Sequence, residues 1–282
     1  MKKILLILIC LTGCFVLNAQ ESYYYGFEYT LQADEKYYVY ADVANVRIEP
    51  DSKADIENQL SAGQEVTIIE TDDKGDNPVV IDGFTGKWLY VSYTINDVKR
   101  AGWIWSNTLS YKQLRRGDTK FVFGIDKIVK FGFQWSVKAI DNGKIVDRKF
   151  FTVSGEESHS PYAKIMDGVQ LENVKCVVRI ASGGEACGIG APVHYFAWLD
   201  GSKKLVELPS TMSVGDACAL SYSETLIIPT ENTESIPNLL IKITDEGIPP
   251  ENEDDACDYS KWRDVYKTEL FEWKNNEVRK VK

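Results

Sequence analysis

The chain has 282 residues, a formal net charge of −10, six cysteines and two histidines. A charged fraction of 26% beside 44% hydrophobic residues is ordinary globular composition, which excludes wholesale disorder and a multi-span membrane protein. The acidic balance excludes nucleic acid as a partner, because phosphates need a basic footprint.

The amino terminus reads as an address. Lys2 and Lys3 precede an apolar run over 4–17, the n-region and h-region of a signal peptide and too short for a comfortable spanning helix. Two processing routes are open. Leu17-Asn18-Ala19 before Gln20 fits an ordinary signal-peptidase site, which makes 1–19 the signal peptide. Leu11-Thr12-Gly13-Cys14 fits a bacterial lipobox, in which Cys14 is lipidated and becomes the only tie to a membrane. Phe15-Val16-Leu17 prolongs the apolar run where lipoproteins turn polar, which favours simple export. Either route predicts an exported protein, periplasmic or extracellular, or else an outer-membrane lipoprotein. Removing 1–19 takes away two lysines and no acid, leaving 30 basic against 42 acidic residues, a net charge of −12.

Next along the chain, 37–48 reads YYVYADVANVRI and is followed by Glu49-Pro50-Asp51, a turn signal. Gly63 precedes the alternating run EVTIIE over 65–70. Short strands then recur at Val79-Val80-Ile81, at 87–91 and at 101–104, with turn residues between them. Such spacing predicts a small all-β barrel over 37–110.

The ordered set Ala44-Asn45-Val46-Arg47, Pro50, Leu60, Gly63, Val66 and Ile68, Trp88-Leu89-Tyr90-Val91 and Gly102-Trp103-Ile104 resembles the bacterial Src-homology-3-like (SH3b) domain. That resemblance covers about a quarter of the chain. It implies a groove of aromatic rings that takes an extended peptide or a peptidoglycan-type ligand. Tyr40, Trp88 and Trp103 are the rings expected there, with Asp72, Asp73 and Asp76 of the loop 72–77 at the rim. The negative rim would favour an amine-bearing peptide. The competing role for each ring is packing in the core.

The polar, basic stretch 111–118 is the expected linker. Its Arg116-Gly117-Asp118 spells an integrin-type tripeptide, which an exported bacterial protein has no evident use for. Beyond it, three hairpin signals recur: Asp141-Asn142-Gly143, Asp200-Gly201 and Asn275-Asn276. No long helical period interrupts the strands, so 119–282 is expected to be a mostly antiparallel β domain, a sandwich or a curved, repeat-derived sheet. After cleavage at Ala19 the remaining cysteines are Cys176, Cys187, Cys218 and Cys257. An even count in an exported chain predicts two disulfides, in any of three pairings.

Catalytic signals are weak. Cys187 lies in the glycine-rich run 183–190 with no helix pattern after it, unlike the helix-borne cysteine of NlpC-type wall peptidases. His194 shares a strand face with Phe196 and Trp198, which suggests a packed ring, and His159 falls in a turn. Cys187 and His194 sit seven apart without a CxxC pair, so no metal is expected. The acidic segment 245–258 lacks EF-hand spacing and reads as a solvated loop. The sequence therefore predicts an all-β, non-enzymatic binding or scaffold protein of the cell envelope, without cofactor. Its expected partner is an envelope peptide, peptidoglycan or a protein. The alternative is a cell-envelope hydrolase with an unfamiliar active site.

Overall fold

The computed structural model describes residues 31–69, 78–130, 132–155, 159–183, 186–230, 236–252 and 256–281. The expected signal peptide, Cys14 and the expected rim residues Asp72, Asp73 and Asp76 lie outside the described residues. Within them the chain is an all-β protein of antiparallel sheets.

The first sheet is built from β1 (Lys36–Tyr38), β2 (Val43–Arg47), β3 (Ile56–Ser61), β4 (Glu65–Ile68), β7 (Trp88–Ile95) and β8 (Val98–Trp105), with a small hairpin of β5 (Val79–Ile81) and β6 (Phe84–Gly86) inserted after β4. Its ladder runs β1-β4-β7-β8-β2-β3. Alternation decides the inward face: Val46, Leu60, Val66, Ile68, Leu89, Val91 and Ile104 pack into one core. Gly102 is required where β8 passes β2, because a Cβ there would meet Val46 Cγ1 at 2.6 Å and the Arg47 carbonyl at 3.1 Å. The expected barrel does not close, for β1 and β3 end the ladder unpaired with each other. The chain leaving β1 turns away to bond the one-turn 3₁₀ helix Ser106–Thr108, with the Tyr40 amide donating to the Thr108 carbonyl at 2.7 Å.

The second sheet is a four-stranded meander of β9 (Leu114–Arg116), β10 (Thr119–Val129), β11 (Gly132–Asp141) and β12 (Lys144–Ser154). The expected linker is therefore part of this sheet, with Tyr111 and Leu114 buried in its core. The third sheet is an eight-stranded meander of β13 (His159–Met166), β14 (Cys176–Gly183), β15 (Ala191–Leu199), β16 (Lys204–Asp216), β17 (Leu220–Ile227), β18 (Leu239–Ile248), β19 (Arg263–Lys274) and β20 (Glu277–Lys280). The three hairpin signals all sit in turns: Asn142 and Gly143 join β11 to β12, Asp200 and Gly201 join β15 to β16, and Asn275 and Asn276 join β19 to β20. Asn142, Gly143, Asn275 and Asn276 take the positive φ that tight hairpins need.

The second and third sheets form a sandwich. Phe121, Phe123, Phe133, Trp135 and Phe151 of the second meet Cys176, Val178, Phe196 and Trp198 of the third. On its other face the third sheet curls. Tyr195, Ala197 and Leu199 pack with Leu226, Leu240 and Trp273 from the far strands, so β15 is buried on both faces. Pro209 of β16 lies where the register skips, between the pairs Val193–Thr211 and Tyr195–Leu208, as a residue without an N–H requires.

The second sheet is also covered on both sides. Val122 and Ile140 turn away from the sandwich and pack on Tyr38, Tyr40 and Ala62 of the first sheet. Gly124 lets β10 approach that face, since a Cβ there would touch the Tyr40 ring at 2.9 Å.

Candidate functional site

The three rings expected to line a groove are all buried. Tyr40 is 3% exposed, Trp88 5% and Trp103 9%. Trp88, Trp103 and Trp105 form their own cluster on the outer face of β7 and β8. Val79 and Ile81 of the β5–β6 hairpin pack on it. Trp88 and Trp105 stand 5.7 Å apart between centroids, and Tyr90 and Trp103 5.1 Å. The β5–β6 hairpin is thus the reason the rings are not a groove: its Val79 and Ile81 cover them. Tyr40 is taken up by the contact between sheets, its hydroxyl 2.7 Å from Ser136 Oγ.

The cysteine expectation also changes. Cys218 and Cys257 form a disulfide across a sequence separation of 39, but Cys176 and Cys187 are free. Cys176 is sealed in the sandwich core, and burial pushes its thiol up to about 12. Cys187 is exposed in a turn whose Gly188 amide donates to the Gly215 carbonyl at 2.8 Å. The acidic segment is strand as far as Ile248, and among the described residues no group of three or more His, Cys, Asp and Glu could hold a metal ion. His194 packs its ring on Phe151 at 4.4 Å, and neither ring nitrogen has a hydrogen-bond partner.

The structure instead brings together a set of which only Tyr40 was expected from the sequence. A cavity of about 410 Å³ opens where the β5–β6 hairpin, the 3₁₀ turn and the second sheet meet. Its apolar wall includes Ile81, Phe84, Trp105, Tyr111 and Ile125. Its polar wall holds Tyr40, Asp42, Asp82, Asp126, Lys138 and Arg148.

Local geometry explains each polar placement. Lys138 and Arg148 face each other across β11 and β12 in register. Like charges opposite one another are unfavourable, and Asp42 resolves the clash. One oxygen of Asp42, Oδ1, accepts from Lys138 Nζ at 2.9 Å and also from Arg148 Nη2. The Arg148 hydrogen bond, with Lys138 adding to it, brings the Asp42 carboxyl down to about 2. Lys138 is 2% exposed and donates a second hydrogen bond to the Tyr40 carbonyl at 2.8 Å. Burial pulls its pKa down, and Asp42 works against that. The Lys138 ammonium also lies 3.9 Å from the centroid of the Tyr40 ring. Burial first, and the Asp126 charge second, push the Tyr40 hydroxyl well above the usual phenol range.

Asp126 is placed by a β-bulge. The β10–β11 register runs Ile125–Trp135 and then Lys127–Gln134, so Asp126 has no partner across the ladder. Bulges re-aim side chains. Here the Asp126 carboxylate lies beside the Tyr40 hydroxyl and within reach of the Lys138 and Arg148 charges, with Oδ2 buried. The only sequence signal for this set was the alternation Gln134, Ser136, Lys138 between Phe133, Trp135 and Val137. It marks a polar face without saying that another sheet will cover it.

No family model, curated protein or solved structure matches the chain.

Proposed function

We propose that the protein is an exported, non-enzymatic binding protein of the bacterial cell envelope and that recognition takes place in the cavity between the first and second sheets. The observation that carries this reading is the cavity itself: about 410 Å³, with aromatic and aliphatic walls and a few convergent charged groups, the usual make-up of a ligand site. Lys138 is held by Asp42 and the Tyr40 carbonyl, and the Tyr40 hydroxyl by Ser136, so the site is organised before a ligand arrives. The signal-like segment 1–19 and the Cys218–Cys257 disulfide support export into an oxidising compartment. The SH3b-like run of motifs over 37–110 supports an envelope peptide or peptidoglycan as ligand. Cys176, buried in the core, and His194, half-buried against the Phe151 ring, lend no support to the hydrolase reading.

The test is retention of the exported form on purified envelope fractions, peptidoglycan included. Retention is expected for the native chain and should be lost in Ile81→Trp, which crowds the cavity from the hairpin, with circular dichroism unchanged. A native chain that is retained on no fraction, or an Ile81→Trp variant that is folded and retained as well as the native chain, overturns the proposal.

A further inference from the structure

We infer that Cys187 exchanges with the Cys218–Cys257 bridge, giving the protein a second disulfide register in which Cys187 is joined to Cys218 and Cys257 is free. Cys187 lies between β14 and β15, in a turn closed by the Ile189 amide on the Ala186 carbonyl at 3.3 Å. That turn is tied to the end of β16. The Gly188 amide donates to the Gly215 carbonyl at 2.8 Å, and a Cβ on Gly188 would stand 3.7 Å from Asp216 Oδ2. β15 and β16 are antiparallel with Ala191 opposite Ser213, so stepping back from Ala191 toward Cys187 runs alongside the step forward from Ser213 toward Asp216. The tight β16–β17 turn follows, closed by the Ala219 amide on the Asp216 carbonyl at 3.1 Å, and it carries Cys218. The exposed free thiol is thereby set beside the hairpin tip that holds one half of the bridge. Cys176 is sealed in the sandwich core and takes no part. The Cys187 thiolate attacks Cys218 Sγ, the Cys187–Cys218 bond forms as the Cys218–Cys257 bond breaks, and Cys257 leaves as a thiolate that takes up the proton Cys187 gave up. One bridge and one thiol stand on each side, so neither oxidant nor reductant is needed. The exchange also moves a tether. Cys257 pins the β18–β19 connection to the hairpin, and the carbonyl of its neighbour Ala256 accepts from the Trp262 indole N–H at 2.7 Å. The Trp262 ring lies on Gly247 of β18, where a Cβ would meet it at 2.8 Å. In the second register the β14–β15 loop is pinned instead, and the hold on Trp262 is released.

The experiment uses the chain starting at Gln20, held without any redox reagent at about pH 6 and about pH 8.5, quenched in acid, labelled with N-ethylmaleimide and mapped by mass spectrometry. At least about a tenth of the label should move from Cys187 to Cys257, with a linked Cys187–Cys218 peptide appearing in step. The thiolate is the attacking form, so the movement should be about tenfold faster at the higher pH. Its rate should not depend on protein concentration, because both partners belong to one chain. Cys187→Ser should show no label on Cys218 or Cys257. The Trp262 indole N–H resonance, assigned from Trp262→Phe, should shift in proportion to the moved label and stay fixed in Cys187→Ser. Label confined to Cys187 at both pH values overturns the inference. So does a rate that rises with protein concentration, or labelling of Cys257 in Cys187→Ser equal to that in the native chain. A moved label with an unshifted Trp262 resonance overturns the release of Trp262.

Discussion

Lys138 and Asp42 stand 2.9 Å apart, although 96 positions separate them in the chain and they belong to different sheets. The ammonium is almost wholly buried, while the Asp42 side chain is 56% exposed. This asymmetry sets what each substitution should do. Asp42→Ala removes the partner of a buried cation. It should cost about 2–3 kcal/mol, below the ~3–5 for breaking a fully buried pair, because the Tyr40 carbonyl and ring remain. Lys138→Met leaves Asp42 with Arg148 and water, and should cost no more than about 1 kcal/mol. Urea unfolding of both variants checks the order, and a Met variant weaker than the Ala variant would contradict it. The depressed Asp42 carboxyl also gives a pH dependence. Its contribution is present above the ordinary carboxylate range and is lost as pH falls through about 2.

The first sheet leans on the second, which bears on whether 37–110 folds by itself. Tyr38, Tyr40 and Ala62 are buried against Val122 and Ile140. A fragment of 37–110 should therefore fold with lower stability than the same sheet shows in the whole chain by amide exchange. Tyr40→Phe removes the 2.7 Å contact with Ser136 and should destabilise the whole chain by about 1–2 kcal/mol. It should leave the fragment unchanged, because Ser136 is absent there. Equal costs in both would show that Tyr40 acts within its own sheet.

Thiol chemistry should separate Cys176, Cys187, Cys218 and Cys257. Without reduction, a chain starting at Gln20 should react once with a thiol reagent, at Cys187, which is exposed. Cys176 should react only after unfolding, being buried with a raised pKa. Reducing the Cys218–Cys257 bridge, with a sequence separation of 39, should cost about 3–4 kcal/mol by loop-closure entropy. Peptide mapping by mass spectrometry reads all three. Absence of a reactive thiol on native protein would mean that Cys187 has found a partner.

His194 predicts a second pH window. Burial lowers its pKa from 6.5 to about 4. The unfolded chain then binds the proton more readily, so stability is full above about 6.5 and declines as pH falls toward 4, by roughly 3 kcal/mol in all. His194→Phe keeps a ring on Phe151 and should flatten the dependence between pH 6.5 and 4. An unchanged slope in that variant would place the titrating group elsewhere.

The sequence by itself determined what depends on near neighbours. Alternation at 65–68 and 133–137 sets which side chains point inward, and Asn142-Gly143, Asp200-Gly201 and Asn275-Asn276 mark the turns, because period and turn chemistry act over a few residues. Which faces become covered was decided only by tertiary structure. Trp88 and Trp103 read equally well as groove or core until the β5–β6 hairpin folds over them. The face bearing Ser136 and Lys138 reads as wet until the first sheet lands on it. Cysteine pairing needs positions in space, so the even count of four could not foresee one bridge and two free thiols. The bulge that turns Asp126 out of register is a disagreement between two strands, and no one strand's residues record it.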